Sequence, residues 1–237
     1  MNEPPRIAFF GSDAIALPLL EWLVTGEGRA FATLGGIVSQ PDRPSGRGRK
    51  LTPNPVAAFA ARHEIPLQQP EKPGRALREW VAAEGFALCL VMAYGHIVGE
   101  KLLATPPHGF LNLHGSLLPK LRGASPVESA IATGESETGI SLMRMVRAMD
   151  AGPVAAVERV TISGDATGGS LREAMAQACV PLLARTLGPA CRGELSFTEQ
   201  DHAAATYCRK LTKADGALDF AVAADVVANR IRGLHPW

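Results

Sequence analysis

Apolar runs too short for helices alternate, through the first half of the chain, with segments whose apolar residues recur at helical spacing. Arg6 to Gly11 is apolar and ends in glycine, and Ile15, Leu19, Leu20, Trp22 and Leu23 follow along one helical face. The order repeats: a strand near 33–39, a helix over 55–63, a short strand near 65–69, a helix over 75–84 and a strand over 86–93. A helix over about 97–104, a strand over 109–114 and a helix over 125–132 continue it. Near-continuous apolar strands separated by helices predict a parallel sheet covered on both faces, an α/β doubly wound, Rossmann-like domain.

Beyond Thr138 the texture changes. ISLMRMV and PVAAVERVTI flank RAMDAG as two strands flank a turn, which predicts a mixed edge on the sheet. Residues 167–191 read as one long helix with Thr167 as its cap and Glu173 in its early turns, and Pro181 is expected to kink it. From Gly193 the chain is more polar, with a strand-like TYCRK and an amphipathic run from Ala221 to Ile231. Val222, Val226, Val227 and Ile231 are spaced to pack a last helix on the domain. No internal repeat is present.

Composition narrows the class. The 237 residues are 46% hydrophobic, enough for a core and too apolar for disorder. Lys plus Arg number 24 and Asp plus Glu 23, so attraction to a polyanion must come from a local basic cluster. No apolar run approaches the ~20 residues that span a bilayer, and the start, MNEPPRIAFFG, lacks the layout of a signal peptide. Cys89, Cys179, Cys191 and Cys208 are scattered with no C-x-x-C, which argues against a zinc site or disulfide framework and suits a reducing cytoplasm.

The chemistry concentrates in FLNLHGSLLPKLRGASP, residues 110–126. A strand over 109–114 would put Phe110, Asn112 and His114 on one face and Leu111 and Leu113 on the other, with Asn112 and His114 about 7 Å apart. Open α/β sheets hold their ligands at the carboxyl ends of the strands. An amide and an imidazole there, before a Gly115–Ser116 turn and an apolar Leu117–Leu118–Pro119 wall, suit stabilisation of an oxyanion; the structural alternative is a pair of buried polar groups satisfied by the backbone. Asp150, in the turn MDAGP, reads either as turn chemistry or as the carboxylate that orients His114. The loop QPDRPSGRGRKLTPNP carries Arg43, Arg47, Arg49 and Lys50 against Asp42, either as solvated charge or as phosphate contacts; its prolines and glycines exclude a helix. FFGSDAIALP lacks both G-x-G-x-x-G and G-x-x-x-x-G-K-[ST], so dinucleotide or nucleoside triphosphate binding has no support there.

N-L-H-G-S-L-L-P-K-L-R-G-A-S-P resembles the signature of folate-dependent formyltransferases. QPDRPSGRGRKLTPNPV with VMAYG, and later TYCRKLTKADGALDF and NRIRGLHPW, are similar to the methionyl-tRNA formyltransferases within that family. The resemblance implies that Asn112, His114 and Asp150 form a catalytic trio. It implies a pterin surrounded by Met92, Ala93, Tyr94, Gly95, His96 and Ile97 with Ser116, Leu117, Leu118 and Pro119. It places Arg43, Arg47, Arg49 and Lys50 in a loop that contacts tRNA. The implied partners are 10-formyltetrahydrofolate and initiator methionyl-tRNA, with direct formyl transfer, no metal, no membrane and a cytoplasmic monomer. His96 stands where an aliphatic or amide residue is expected. The family continues past Pro-Trp into a small β-barrel, so residues 1–191 read as the catalytic domain and 192–237 as an extension and linker toward such a barrel. A sugar-nucleotide N-formyltransferase, with less need of the basic loop, is the main rival; a glycinamide ribonucleotide formyltransferase, a formyltetrahydrofolate hydrolase and a silent folate-binding module fit less well.

Overall fold

The computed structural model describes residues 3–45, 48 and 50–236. In chain order the first elements are β1 (Arg6–Phe10), α1 (Leu17–Val24), β2 (Thr33–Val38), β3 (Arg43–Ser45), β4 (Lys50–Thr52), α2 (Pro55–Arg62) and β5 (Leu67–Gln68). Next come α3 (Arg75–Glu84), β6 (Leu88–Val91), α4 (Glu100–Leu103), β7 (Phe110–His114), β8 (Arg122–Gly123) and α5 (Pro126–Ala132). The chain continues through β9 (Glu137–Arg144), β10 (Val154–Thr161), α6 (Gly168–Arg192), β11 (Tyr207–Cys208) and α7 (Ala224–Leu234).

The central sheet runs β10-β9-β7-β6-β1-β2-β5. Its middle is parallel, and β9 and β10 add the antiparallel edge. Alternation along each strand feeds two separate cores. Ile7, Phe9, Leu90, Leu111 and Leu113 meet α1, α2, α5 and α6, whereas Ala8, Phe10, Val91 and Phe110 meet α3 and α4. Successive strands step outward from β1 to β2 and β5, then resume on its other side at β6, so the ends of β1 and β6 diverge into a crevice. That is where a doubly wound sheet places its ligand.

Local chemistry sets the boundaries. Asn54 caps α2 by accepting the Ala57 N–H at 3.0 Å, with Pro55 at the first helical position. Thr167 and Ser170 cap α6 reciprocally, and α6 spans Gly168–Arg192 with both Pro181 and Pro189 inside it. The expected helix at 97–104 contracts to α4, because Gly95 turns left-handed and Gly99 enters as an extended cap. The basic loop, read as irregular, carries the hairpin β3–β4; short paired strands at a sheet-free edge tolerate proline as a helix does not.

After α6 the chain folds back. Thr198 bridges to Val154, β11 adds to β8, and α7 packs on α5. Of the apolar stripe expected to pack α7, Val227 is half-buried but Val222, Val226 and Ile231 are each 44–50% exposed. The helix docks instead through a small residue and polar bonds, Gly233 lying against Glu128 and Ala132 while Arg230 Nε donates to Asp215 O (2.9 Å) and Arg232 Nη1 to Ala166 O (2.9 Å). A Cβ on Gly233 would stand 2.8 Å from Glu128 O and 3.0 Å from Ala132 N. Gly to Ala in a helix normally stabilises by about 1 kcal/mol. Gly233→Ala is expected to do the reverse and lower the melting temperature in a calorimetric scan; a raised melting temperature would contradict this docking.

Candidate active site

Strand β7 ends at the sheet's ligand edge, and its last residues carry two polar side chains on the Phe110 face. Asn112 is half-buried, between Val91 of β6 and Met143 of β9, and among the described residues nothing hydrogen-bonds its amide. His114 is buried, and its Nε2 lies 2.9 Å from Leu121 O. A carbonyl only accepts, so Nε2 carries a proton and donates it. The nitrogen left for chemistry is Nδ1, which faces Asp150 Oδ1 at 3.7 Å.

Asp150 comes from the β9–β10 connection, where 146–149 are exposed and Asp150 is the first residue to turn inward. It is left-handed, with φ +49, a conformation aspartate tolerates better than most residues. Its Oδ2 accepts the Gly123 N–H at 2.8 Å. Gly123 itself sits at φ +121, and a Cβ there would collide with the Cys208 carbonyl oxygen, so only glycine lets β8 approach β11 while presenting that N–H. The structure thus brings Asn112, His114 and Asp150 to one edge.

The remaining predicted residues divide by what their side chains touch. Met92 and Tyr94 turn into the two cores, Tyr94 edge-on to Phe10 at 5.4 Å, so only their main chain is available to a ligand. Burial pushes the Tyr94 hydroxyl up to about 12. Ala93, Gly95 and Ile97 are exposed and His96 is half-buried, its ring 5.4 Å from that of Tyr94. The main-chain N–H groups of 94–97 find no acceptor among the described residues and can serve a ligand. Ser116, read as a ligand contact, is instead a staple: it is buried, and its Oγ donates to Lys120 O at 2.6 Å. Leu117, Leu118 and Pro119 stay half-buried as a wall, braced by Ser141, whose Oγ accepts the Leu118 N–H (3.0 Å) and donates to Ser116 O (2.7 Å).

In the β3–β4 hairpin Arg43 stands opposite Thr52 and Lys50 opposite Ser45, with Arg43 in an exposed pair with Glu71; Arg47 and Arg49 lie outside the described residues. The hairpin is tied to the crevice through Gln40, whose Nε2 donates to Tyr94 O (2.8 Å) and whose main-chain O accepts from Asn54 (2.8 Å) and Gln69 (2.9 Å). No group of three His, Cys, Asp or Glu among the described residues could hold a metal. Burial raises all four thiols, Cys191 to about 11, so none is a ready nucleophile.

A family model described as formyl transferase matches residues 5–187. The chain belongs to the formyl transferase family. Among its relatives, the methionyl-tRNA formyltransferase of Sorangium cellulosum is 42% identical over 233 residues, covering 98% of this chain and 73% of that protein. That of Halalkalibacterium halodurans is 40% identical over 237 residues, covering 98% and 72%. The same fold recurs in the N-formyltransferase of Helicobacter canadensis, solved with folinic acid and dTDP-3-aminofucose (TM-score 0.73, 16% identity, 98% of this chain and 80% of that one). It recurs too in glycinamide ribonucleotide transformylase 1 of Symbiobacterium toebii (TM-score 0.68, 22% identity, 85% and 96%).

Several residues that shape this formyl transferase site escape sequence reading. Ser141 lies in an apolar strand, Arg122 is one more basic residue inside the 110–126 motif, and Gln200 sits in a polar stretch without a pattern. The geometry also fixes a tautomer. Nitrogen NMR of neutral His114 should find the proton on Nε2, held by Leu121 O; protonation of Nδ1 instead would contradict the placement of the ring.

Proposed function

We propose that this formyl transferase moves the formyl group of 10-formyltetrahydrofolate to the α-amino group of initiator methionyl-tRNA, in the cytoplasm. The observation that carries the reading is the convergence of an unpartnered Asn112 amide, an Nδ1 left free by the Leu121 bond, and the Asp150 carboxylate. Relatives named methionyl-tRNA formyltransferase, about 40% identical over nearly the whole chain, supply the acceptor. The donor fits the crevice chemically, because the 94–97 loop offers main-chain donors and Leu117–Pro119 an apolar wall to a flat, polar-edged ring system.

The folate supplies an activated formyl carbon. The substrate amine attacks that carbon, a C–N bond forms, and negative charge develops on the formyl oxygen. Asn112 donates to this oxygen from its amide, and His114, as imidazolium, donates from Nδ1. Asp150 holds the imidazolium by charge and takes up the proton the amine must lose, passing one to the folate nitrogen as the old C–N bond breaks. Formylmethionyl-tRNA and tetrahydrofolate leave. Arg43 and Lys50, with Arg47 and Arg49, hold acceptor phosphates, and the Gln40 bonds keep the hairpin that carries them next to the donor loop.

One donor to such an oxygen contributes about 3 to 4 kcal/mol to lowering the barrier. Asn112→Ala or His114→Ala is therefore expected to reduce kcat about a hundredfold or more, with folate KM little changed. A formyl-transfer assay offering methionyl-tRNA beside an amino-sugar nucleotide checks both roles and acceptor: intact turnover in either variant refutes the roles, and preference for the sugar refutes the acceptor. Charge reversal at Arg43 and Lys50 should raise the KM for tRNA and flatten its salt dependence. An unchanged salt slope would remove the hairpin from tRNA binding.

A further inference from the structure

Asp150 is left-handed at the end of an exposed connection, where among the described residues the turn's own bond is Ala151 N–H to Ala148 O at 3.3 Å. What holds its main chain comes from beyond α6. Gln200 is 8% exposed, and its Nε2 donates both to Asp150 O (2.9 Å) and to Gly152 O (2.6 Å), straddling the catalytic turn. Its Oε1 accepts two bonds from Arg122, at 3.1 Å from Nε and 2.6 Å from Nη2. The guanidinium only donates and the two carbonyls only accept, so one orientation of the amide satisfies both sides.

Arg122 is 3% exposed, and no carboxylate among the described residues pairs with it; besides Gln200 its side chain meets His202 Nδ1 at 2.9 Å. A buried guanidinium without a counter-charge is a costly way to join two segments that apolar residues could join as well. The arrangement is explained by what else β8 does. Arg122 fixes the main chain of Asp150 through Gln200, while the adjacent Gly123 N–H fixes its Oδ2, so both bonds orient one carboxylate from one short strand.

We propose that Gln200, locked by Arg122, is a positioning residue for formyl transfer: it sets the Asp150 turn so that Oδ1 faces His114 Nδ1. This rests on the role given to Asp150 above. Gln200→Glu keeps the volume and the oxygen Arg122 binds but removes both N–H donors to the turn. It is expected to lower kcat about tenfold to a hundredfold, the scale of a misplaced catalytic group, with folate KM within about twofold.

A double-mutant cycle with Asp150→Ala decides whether Gln200 acts through Asp150. The expected result is that Gln200→Glu, damaging in the native background, costs less than about a further twofold once Asp150 is gone. A loss of the same size in both backgrounds, or no loss in the native one, overturns the proposal. If Asp150→Ala alone leaves turnover intact, the role of Asp150 fails, and amide exchange still tests the positioning: Gly123, whose N–H reaches Asp150 Oδ2, should lose protection in Gln200→Glu. Unchanged protection overturns the proposal whatever the activity. Should Gln200→Glu fail to fold, Gln200→Met, of similar volume, carries the same measurements.

Discussion

The structure depends on a carboxylate being held at a fixed distance from an imidazole when the exposed connection that carries it cannot hold it alone. His114 is rigid because β7 is the interior strand between β6 and β9 and because Leu121 O captures Nε2. Asp150 lies at the inner end of a connection whose other side chains face solvent, and an exposed connection samples many conformations unless bonds from elsewhere remove them. Strand β8, two residues long, supplies one of those bonds from Gly123 and braces the others through Arg122 and Gln200, and it precedes α5 in the same segment that carries His114. The positions of both partners are thus referred to one stretch of backbone, residues 114–123.

The parallel centre of the sheet explains why the 94–97 loop, proposed to take the donor, belongs beside this pair. The chain reverses its direction of travel between β1 and β6, leaving a crevice whose walls are the turns after each strand. Ser12 N–H donates to Ala93 O (3.2 Å) and Gln40 N–H to Ser12 Oγ (2.9 Å), so the turns after β1, β2 and β6 form one bonded rim. The hairpin with Arg43 and Lys50 leaves from that rim. In the proposed reading, donor and acceptor contacts share this rim, which main-chain bonds and the Ser12 and Gln40 side chains hold together.

What the sequence disclosed follows from which forces are local. Period-two alternation in FLNLH assigned Leu111 and Leu113 to one core and Phe110 to the other, since burial acts residue by residue along a strand. The cap Thr167 is legible for the same reason. The exposed stripe on α7 was misread because apolar spacing states which face could be buried, and a close contact through Gly233 determined which face is. Met92, Tyr94 and Ser116 sit in the expected loops, but whether a loop side chain points to core or crevice depends on turn dihedrals that no periodicity records. Gln200 was invisible: it stands 50 residues from the turn it bonds, and a glutamine in a polar stretch carries no sign of burial.

That blind spot has a structural meaning for the family. The segment shared across formyl transferases ends at residue 187, within α6, and it contains Asn112, His114 and Asp150. Gln200 lies beyond it, as do Thr206, whose Oγ1 accepts the Leu121 N–H at 2.8 Å, and β11, which pairs with β8. Leu121 holds His114 and Gly123 holds Asp150, so the extension grips both ends of the strand on which the pair depends. In the proposed mechanism the shared domain supplies the reacting groups, and residues after α6 bond the strand and the turn that hold them. An extension that differed between branches of the family could therefore retune the common chemistry without altering any group that takes part in it.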